Sequence, residues 1–526
     1  MRLISVLAAL SSVKILAVRV SSAVSCAVFV VASSASAQPR TPPQERFPAE
    51  LDQYIQKVLT DGQIPGMAIA VVRNDSVLVA KGYGVRELAK PGRVDENTVF
   101  DIASLSKSFT ATAVAMLVDR GTLRWDDPVT KYLPDLVLPN EQLTSQATVR
   151  DFLSHRTGLN AVNMMWVLTA VDRAEVLRRM RYVPIGAPFR QTMIYSNIGY
   201  TVASEAAARA AGTTFESLLR DLVIKPLGLT STTWTYEQAA RMPNVASAHA
   251  TIAGRQQSIR RELQRQPIAG AAAVQSTVTD LTRWMRLHLN NGVLDGKRYV
   301  SDSSMRAMHS VQVGIATTPP MRAARLVEDT VIGYGMGMQI MDYRGHPLLW
   351  HTGSGDGQYA YMALLPRDRL GVVVLVNTWS VFIHTALMNR ILDTYLGYEP
   401  RDWVGETLAR LPATIRAQDS AAQAIRQMKS ETPPPLPLSK YAGRYDNPLY
   451  GPVWVRLEQS HLVLQMGDGQ KADLEYHGDA GFWMWWRDPL FRENYGTHVR
   501  FAVEGDAVTA LATRINRDEF TAQRLR

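Results

Sequence analysis

The chain has 526 residues, 46% of them hydrophobic and 20% charged, with a formal charge of +9 at pH 7. These values are those of a soluble globular protein too long for one ordinary core, so two domains are expected. The only cysteine, Cys26, falls in a leader-like segment, which excludes disulfides and cysteine-ligated zinc from a processed chain.

Arg2, Lys14 and Arg19 precede an uncharged stretch from Val20 to Ala37 that closes on Ala35-Ser36-Ala37. A basic start, a short apolar run and an A-x-A ending predict a signal peptide over residues 1–37. The run Ala27 to Ala32 falls well short of the roughly 18 apolar residues of a span, so no integral anchor is expected after cleavage. Residues 1–37 hold three bases and no acid, and the rest of the chain keeps +6. Arg255, Arg260, Arg261 and Arg265, with Arg241 upstream, read as a solvated helix face. No aromatic residues interleave with them, so no nucleic-acid partner is expected.

After a linker at 38–50, Gly66 to Val72, the turn Arg73-Asn74-Asp75-Ser76 and Val77 to Ala80 predict a hairpin. Leu105, Phe109, Ala113, Met116 and Leu117 recur at helical spacing, and Gly121 sits where a terminating glycine belongs, predicting a helix from Ser104 to Arg120. Trp350-His351-Thr352, Tyr359 to Leu365 and Gly371 to Val376 predict three late strands. They share one antiparallel sheet with the early hairpin, and helices fill the interval. The expected first domain, 51–400, is therefore an α/β layer structure. An alanine-rich, partly helical connector and the proline run Thr432 to Pro437 make up a linker at 401–439. From 440 to 526, short runs such as Val453-Trp454-Val455, Leu462-Val463-Leu464 and Phe482 to Trp486 alternate with Gly/Asp turns and predict a small all-β barrel or sandwich. The tryptophans between Trp483 and Trp486 read as its core. No internal repeat is present.

The chemistry begins at Ser104-Leu105-Ser106-Lys107. Residues three apart on a helix share a face, so the Lys107 amine reaches the Ser104 hydroxyl. Burial beside Leu105 and Phe109 is expected to lower the Lys107 pKa and free a neutral amine as base. Tyr195-Ser196-Asn197 supplies a phenol for proton transfer and an amide for a substrate carbonyl. In His351-Thr352-Gly353 the glycine is expected to let a substrate backbone approach, with the Ser354 N–H as oxyanion donor. Gly333 to Gly337 reads as a close-packed strand rather than a nucleotide loop, and His155 as a loop-stabilising residue. No G-x-S-x-G or H-E-x-x-H pattern occurs, and the ten histidines are scattered.

Ser104-x-x-Lys107, Tyr195-x-Asn197 and His351-Thr352-Gly353, in that order, resemble the serine β-lactamase and DD-peptidase superfamily. The resemblance covers most of residues 50–398, including Phe100-Asp101-Ile102-Ala103, Arg124 to Val129, Leu153 to Leu159 and Pro226 to Leu229. It is strongest to the class C β-lactamase, D-aminopeptidase and DD-carboxypeptidase branch. Tyr441-Ala442-Gly443-Arg444-Tyr445 opens a segment similar to the lipocalin-like domain of some of these peptidases. The resemblance implies a serine hydrolase with Ser104, Lys107, Tyr195 and His351 as catalytic residues. It implies Asn197, Thr352 and Gly353 as substrate contacts and the N–H groups of Ser104 and Ser354 as the oxyanion hole. No metal or cofactor is implied, and the partner is a small peptide, amide or ester. Histidine stands at 351 where β-lactamases usually have lysine, which favours D-amino-acid peptidase chemistry over β-lactam hydrolysis. The sequence leaves open which of Lys107 and Tyr195 is the base, the natural acyl group, esterase or β-lactamase activity on the same site, a slowly deacylating penicillin-binding or sensing role, the role of the C-terminal domain, and the oligomeric state.

Overall fold

The computed structural model describes residues 46–525 apart from 253–254, 261–264, 316–329, 380–382, 411–426, 428–429, 468, 479–480, 489–496 and 516–517. The leader, Cys26, residues 38–45, Arg261 and most of the alanine-rich connector lie outside the described residues.

The central sheet is built from β1 (Gly66–Arg73), β2 (Ser76–Gly84), β3 (Val313–Gly314), β4 (Thr330–Tyr334), β5 (Gln339–Tyr343), β6 (His346–Gly355), β7 (Gln358–Leu365) and β8 (Leu370–Val376). Its strand order is β2-β1-β8-β7-β6-β5-β4-β3. The first and last strands in sequence pair one strand in from the β2 edge, Met67 opposite Val376 and Arg73 opposite Leu370. Both β1 and β8 are buried along nearly their whole length, which is why they read as unbroken apolar runs. Ala68, Ala70 and Val72 face one core, and Met67, Ile69 and Val71 face the other. Helix α1 (Ala49–Asp61) and a C-terminal helix (Ile383–Leu396) cover the second face.

Helix α2 (Ser106–Asp119) lies inside the first core, buried at every position from Ser106 to Leu117. A helix buried on all sides loses the one-sided stripe that its periodicity suggests. It begins two residues later than its pattern predicts, because Ala103–Leu105 forms a single 3₁₀ turn ahead of it. Gly121 (φ 70°) follows its C-cap residue in the left-handed region, as the sequence indicates. Phe109 stacks on Trp284 with ring centroids 3.9 Å apart, locking α2 to the helix Val278–Leu289. Full burial of such a side chain stabilises the fold by about 1.5–3 kcal/mol.

Residues Gly443 to Arg524 form eight antiparallel strands that close into a barrel, which decides between barrel and sandwich. Closure leaves no free strand edge. Trp486 is fully buried and Trp483 nearly so, while Trp485 is partly exposed and donates its N–H to Glu475. Tyr445, Leu464, Phe482 and Trp486 belong to the same continuous buried cluster as Phe109 and Met164. Two expectations are corrected. Arg255 lies on a short strand, Arg255–Ile259, not on a helix face, and Arg265 is buried in an ion pair. The strand containing Gly333 stops at Tyr334, and Gly335 and Gly337 make close turns against the carbonyls of Met308 and Lys107. No helix of the described residues is long and apolar enough to cross a membrane.

Candidate active site

Ser104 sits in the 3₁₀ turn where a short strand (Phe100–Asp101) bends into α2. The bend places Ala103 at φ 43°, a left-handed conformation that costs a residue with a Cβ about 1–2 kcal/mol. Asp101 offsets this cost: its Oδ1 accepts the Ala103 N–H at 2.8 Å. The carboxylate is in turn paired with buried Arg265 at 3.0 Å and accepts the Tyr236 hydroxyl at 2.8 Å. Both ions are almost wholly buried, so each neutralises a charge that would otherwise be stranded.

Gly353 closes the bend from the other side. A Cβ there would lie 2.0 Å from the Ile102 carbonyl oxygen, so this glycine lets β6 touch the turn that presents Ser104. The close partner on this side is the protein's own backbone, at the turn that holds Ser104. Beyond Trp350, β6 has lost its β5 partner and keeps only β7. The resulting edge carries Thr352, partly exposed, and Ser354, exposed.

Lys107 is completely buried. Its Nζ lies 3.1 Å from Ser104 Oγ, 2.8 Å from Asn197 Oδ1 and 3.2 Å from the Ala271 carbonyl oxygen. Burial, reinforced by the positive charge of Arg265, pushes its pKa well below the ordinary lysine value. Two of the three partners accept only. A neutral amine satisfies both with its two N–H groups and turns its lone pair to the Ser104 hydroxyl.

Tyr195 is partly exposed, and Lys107 Nζ lies 4.6 Å from the centre of its ring. Burial raises its phenol pKa against the opposing effect of a hydrogen bond with Ser104, so the group stays protonated. Ser196 caps the helix Asn197–Ala210, its Oγ accepting the Gly199 N–H, and this cap sends Tyr195 and Asn197 into the site. His155 (φ 58°) fixes the same segment from below: its Nδ1 accepts the Ser196 N–H at 3.1 Å, and its ring lies 4.5 Å from that of Tyr195.

His351 is 2% exposed. Its Nδ1 donates to the Thr352 carbonyl at 2.6 Å, which leaves Nε2 to accept from the Tyr334 hydroxyl at 3.2 Å. Burial takes its pKa down to about 3. The imidazole is neutral, buried and fully engaged, 6.0 Å from the Tyr195 ring.

The structure thus gathers Ser104, Lys107, Tyr195 and Asn197 around one point, with His351 behind Tyr195 and Thr352 to Ser354 on the adjoining strand edge. Sequence reasoning missed the Ala271 carbonyl, because a backbone acceptor has no side-chain signature. It also missed Tyr334 and the Asp101–Arg265 pair, whose members are 164 positions apart. Among the described residues no group of side chains could hold a metal ion.

Residues 51–391 match the family model described as Beta-lactamase. The chain belongs to this family. Residues 427–526 match a domain of unknown function, DUF3471. Among relatives, the chain is 31% identical to the unguisins hydrolase ungD of Aspergillus violaceofuscus over 80% of its length and 77% of that protein. Among solved structures it resembles the octameric penicillin-binding protein homologue from Pyrococcus abyssi at TM-score 0.59 and 18% identity, covering 90% of this chain and 99% of that one. A class C beta-lactamase matches at TM-score 0.55 and 20% identity, over 66% of this chain and 96% of the other. These two likenesses concern the fold, a β-lactamase-like α/β core. Family and hydrolase-named relative together make the protein a serine hydrolase of the β-lactamase and penicillin-binding-protein superfamily.

Proposed function

We propose that this hydrolase forms an acyl-enzyme on Ser104 from a small peptide or amide, with D-amino-acid peptides as the favoured class, and releases the acyl group to water. One observation carries the reading. The Lys107 amine is desolvated and held between two acceptors, with its third direction on Ser104 Oγ. It takes the hydroxyl proton as Oγ bonds to the substrate carbonyl carbon. The backbone N–H groups of Ser104 and Ser354 receive the developing oxyanion, and the second amide hydrogen of Asn197 and the 352–353 strand edge hold the substrate. Tyr195 gives its phenolic proton to the leaving nitrogen, and the Lys107 ammonium returns one to the phenolate. Water then attacks the ester carbonyl with Lys107 again as base, freeing the acid and Ser104. The leader marks the protein for export to the periplasm or medium.

β-Lactam hydrolysis is the weaker reading, because His351 is neutral and buried and offers no cation to a β-lactam carboxylate. The test is mass spectrometry of the intact protein with a D-amino-acid amide, a D-Ala-D-Ala peptide, a p-nitrophenyl ester and a cephalosporin. A transient adduct on Ser104 with the first two supports the proposal. A persistent cephalosporin adduct without turnover of the others assigns a penicillin-binding or sensing role. Turnover of the p-nitrophenyl ester alone assigns an esterase.

A further inference from the structure

The C-terminal barrel touches the hydrolase core at a segment that leads straight into the site. Helix Met164–Val167 begins with its first backbone N–H donating to Asp518 Oδ2 at 2.7 Å, and Asp518 lies on the last barrel strand. Asp518 is 7% exposed, so this is a buried contact rather than a surface one. Two further points fix the same interface. Arg179 Nη1 donates to the Leu449 carbonyl at 2.9 Å. Gly467, at a barrel turn, packs so closely that a Cβ would stand 2.5 Å from the Leu168 carbonyl oxygen. Met164, Met165 and Leu168 are buried in the core shared by both halves of the chain.

Asn163 immediately precedes the pinned Met164. Its Oδ1 accepts from Asn197 Nδ2 at 3.2 Å and from Trp166 Nε1 at 3.3 Å. Asn197 Oδ1 in turn accepts the Lys107 ammonium or amine at 2.8 Å. An asparagine amide can rotate by half a turn, which would set two donors against Lys107. Asn163, an acceptor fixed on the far side, forbids that rotation.

From this geometry we propose that the barrel is a working part of the active site. Asp518, through the Met164 N–H, and Asn163, through its amide oxygen, are positioning residues that hold Asn197 with its oxygen on Lys107 and one N–H free for the substrate carbonyl. The proposal rests on the Ser104 acyl-enzyme reading. An unfixed Asn197 leaves Lys107 without a constant acceptor, and this lowers the rate of acylation and shifts the lysine's apparent pKa.

The experiment compares full-length Asp518→Leu, Asp518→Asn, Asn163→Leu and Asn163→Asp with wild type. It measures single-turnover acylation by intact mass, the pH profile of kcat/KM, and thermal unfolding. Asp518→Leu and Asn163→Leu are expected to slow acylation about ten- to a hundredfold and to move the acid limb of the profile. Asp518→Asn and Asn163→Asp, which keep an acceptor oxygen, retain most of the rate. Should Asp518→Leu fail to fold, Asn163→Leu, which leaves the barrel contact untouched, carries the same test. An unchanged acylation rate and acid limb in Asn163→Leu overturns the proposal, as does equal loss in the conservative and apolar variants. If wild type forms no Ser104 adduct, the underlying acyl-enzyme reading fails instead, so the two failures are distinct.

Discussion

The Lys107 amine stands 3.1 Å from the Ser104 hydroxyl, and its other two partners, Asn197 Oδ1 and the Ala271 carbonyl, are acceptors. This arrangement makes the lysine a base only while it stays desolvated.

Ser104→Ala removes the acceptor of the acyl group. The expected kcat falls by roughly 10³-fold or more, and no adduct mass is seen with any substrate. An adduct surviving in this variant would place the nucleophile elsewhere.

Lys107→Met tests the base and its energetic cost together. Activity should fall by roughly 10³-fold or more. The folded pKa of Lys107 is depressed, so between that value and the unfolded value of about 10.4 the unfolded chain binds more protons. Stability from this group therefore rises with pH across that window, and holding the lysine neutral weakens the fold at pH 7. The methionine variant is expected to melt higher than wild type at pH 7, with the difference shrinking towards pH 10. An equal difference at both pH values contradicts a neutral buried lysine.

Tyr195→Phe keeps the ring and removes the proton. Acylation should slow about 10²- to 10⁴-fold with little change in melting temperature. Stopped-flow acylation at the wild-type rate would take the phenol out of the proton path.

Acid should unfold the protein through its buried histidines. His155, His288 and His351 are each under 5% exposed, and burial depresses the pKa of each, that of His351 to about 3. Below the unfolded value of about 6.5 the unfolded chain binds protons that the folded one refuses, and each group can remove up to about 1.4 kcal/mol per pH unit. Melting temperature should drop steeply from pH 6.5 towards pH 4, and less steeply in His351→Gln. A flat profile over that range would mean that these rings are protonated in the fold.

Gly353→Ala puts a methyl group where the Ile102 carbonyl lies. The strand and the nucleophile turn must move apart, and a displacement near 1 Å is expected to cost about 10²-fold in kcat. Wild-type kcat in this variant would show that the bend at Ala103 is held without the strand.

Much of the fold is legible in the chain because local patterns carry it. The first strand of the hairpin and the last strand of the sheet appear as apolar runs, since these two inner strands are buried on both faces. The S-x-x-K spacing alone brings Lys107 to Ser104, a contact made within one turn. The order of the three motifs identifies the superfamily, and their residues meet.

What the sequence could not decide depends on contacts between distant segments. Whether Lys107 is neutral follows from burial and from the positive charge of Arg265, which distant stretches of chain supply. The state of His351 follows from Tyr334 and its own strand, which enclose it and keep it buried and neutral. The glycine at 353 was recognisable as a site of close approach, but only the packed strand identified Ile102 as what approaches it. Local spacing fixes which side chains share a turn. Desolvation, tautomer and backbone-to-backbone contact are set by chain brought in from elsewhere, and these decide which of the gathered groups can move a proton.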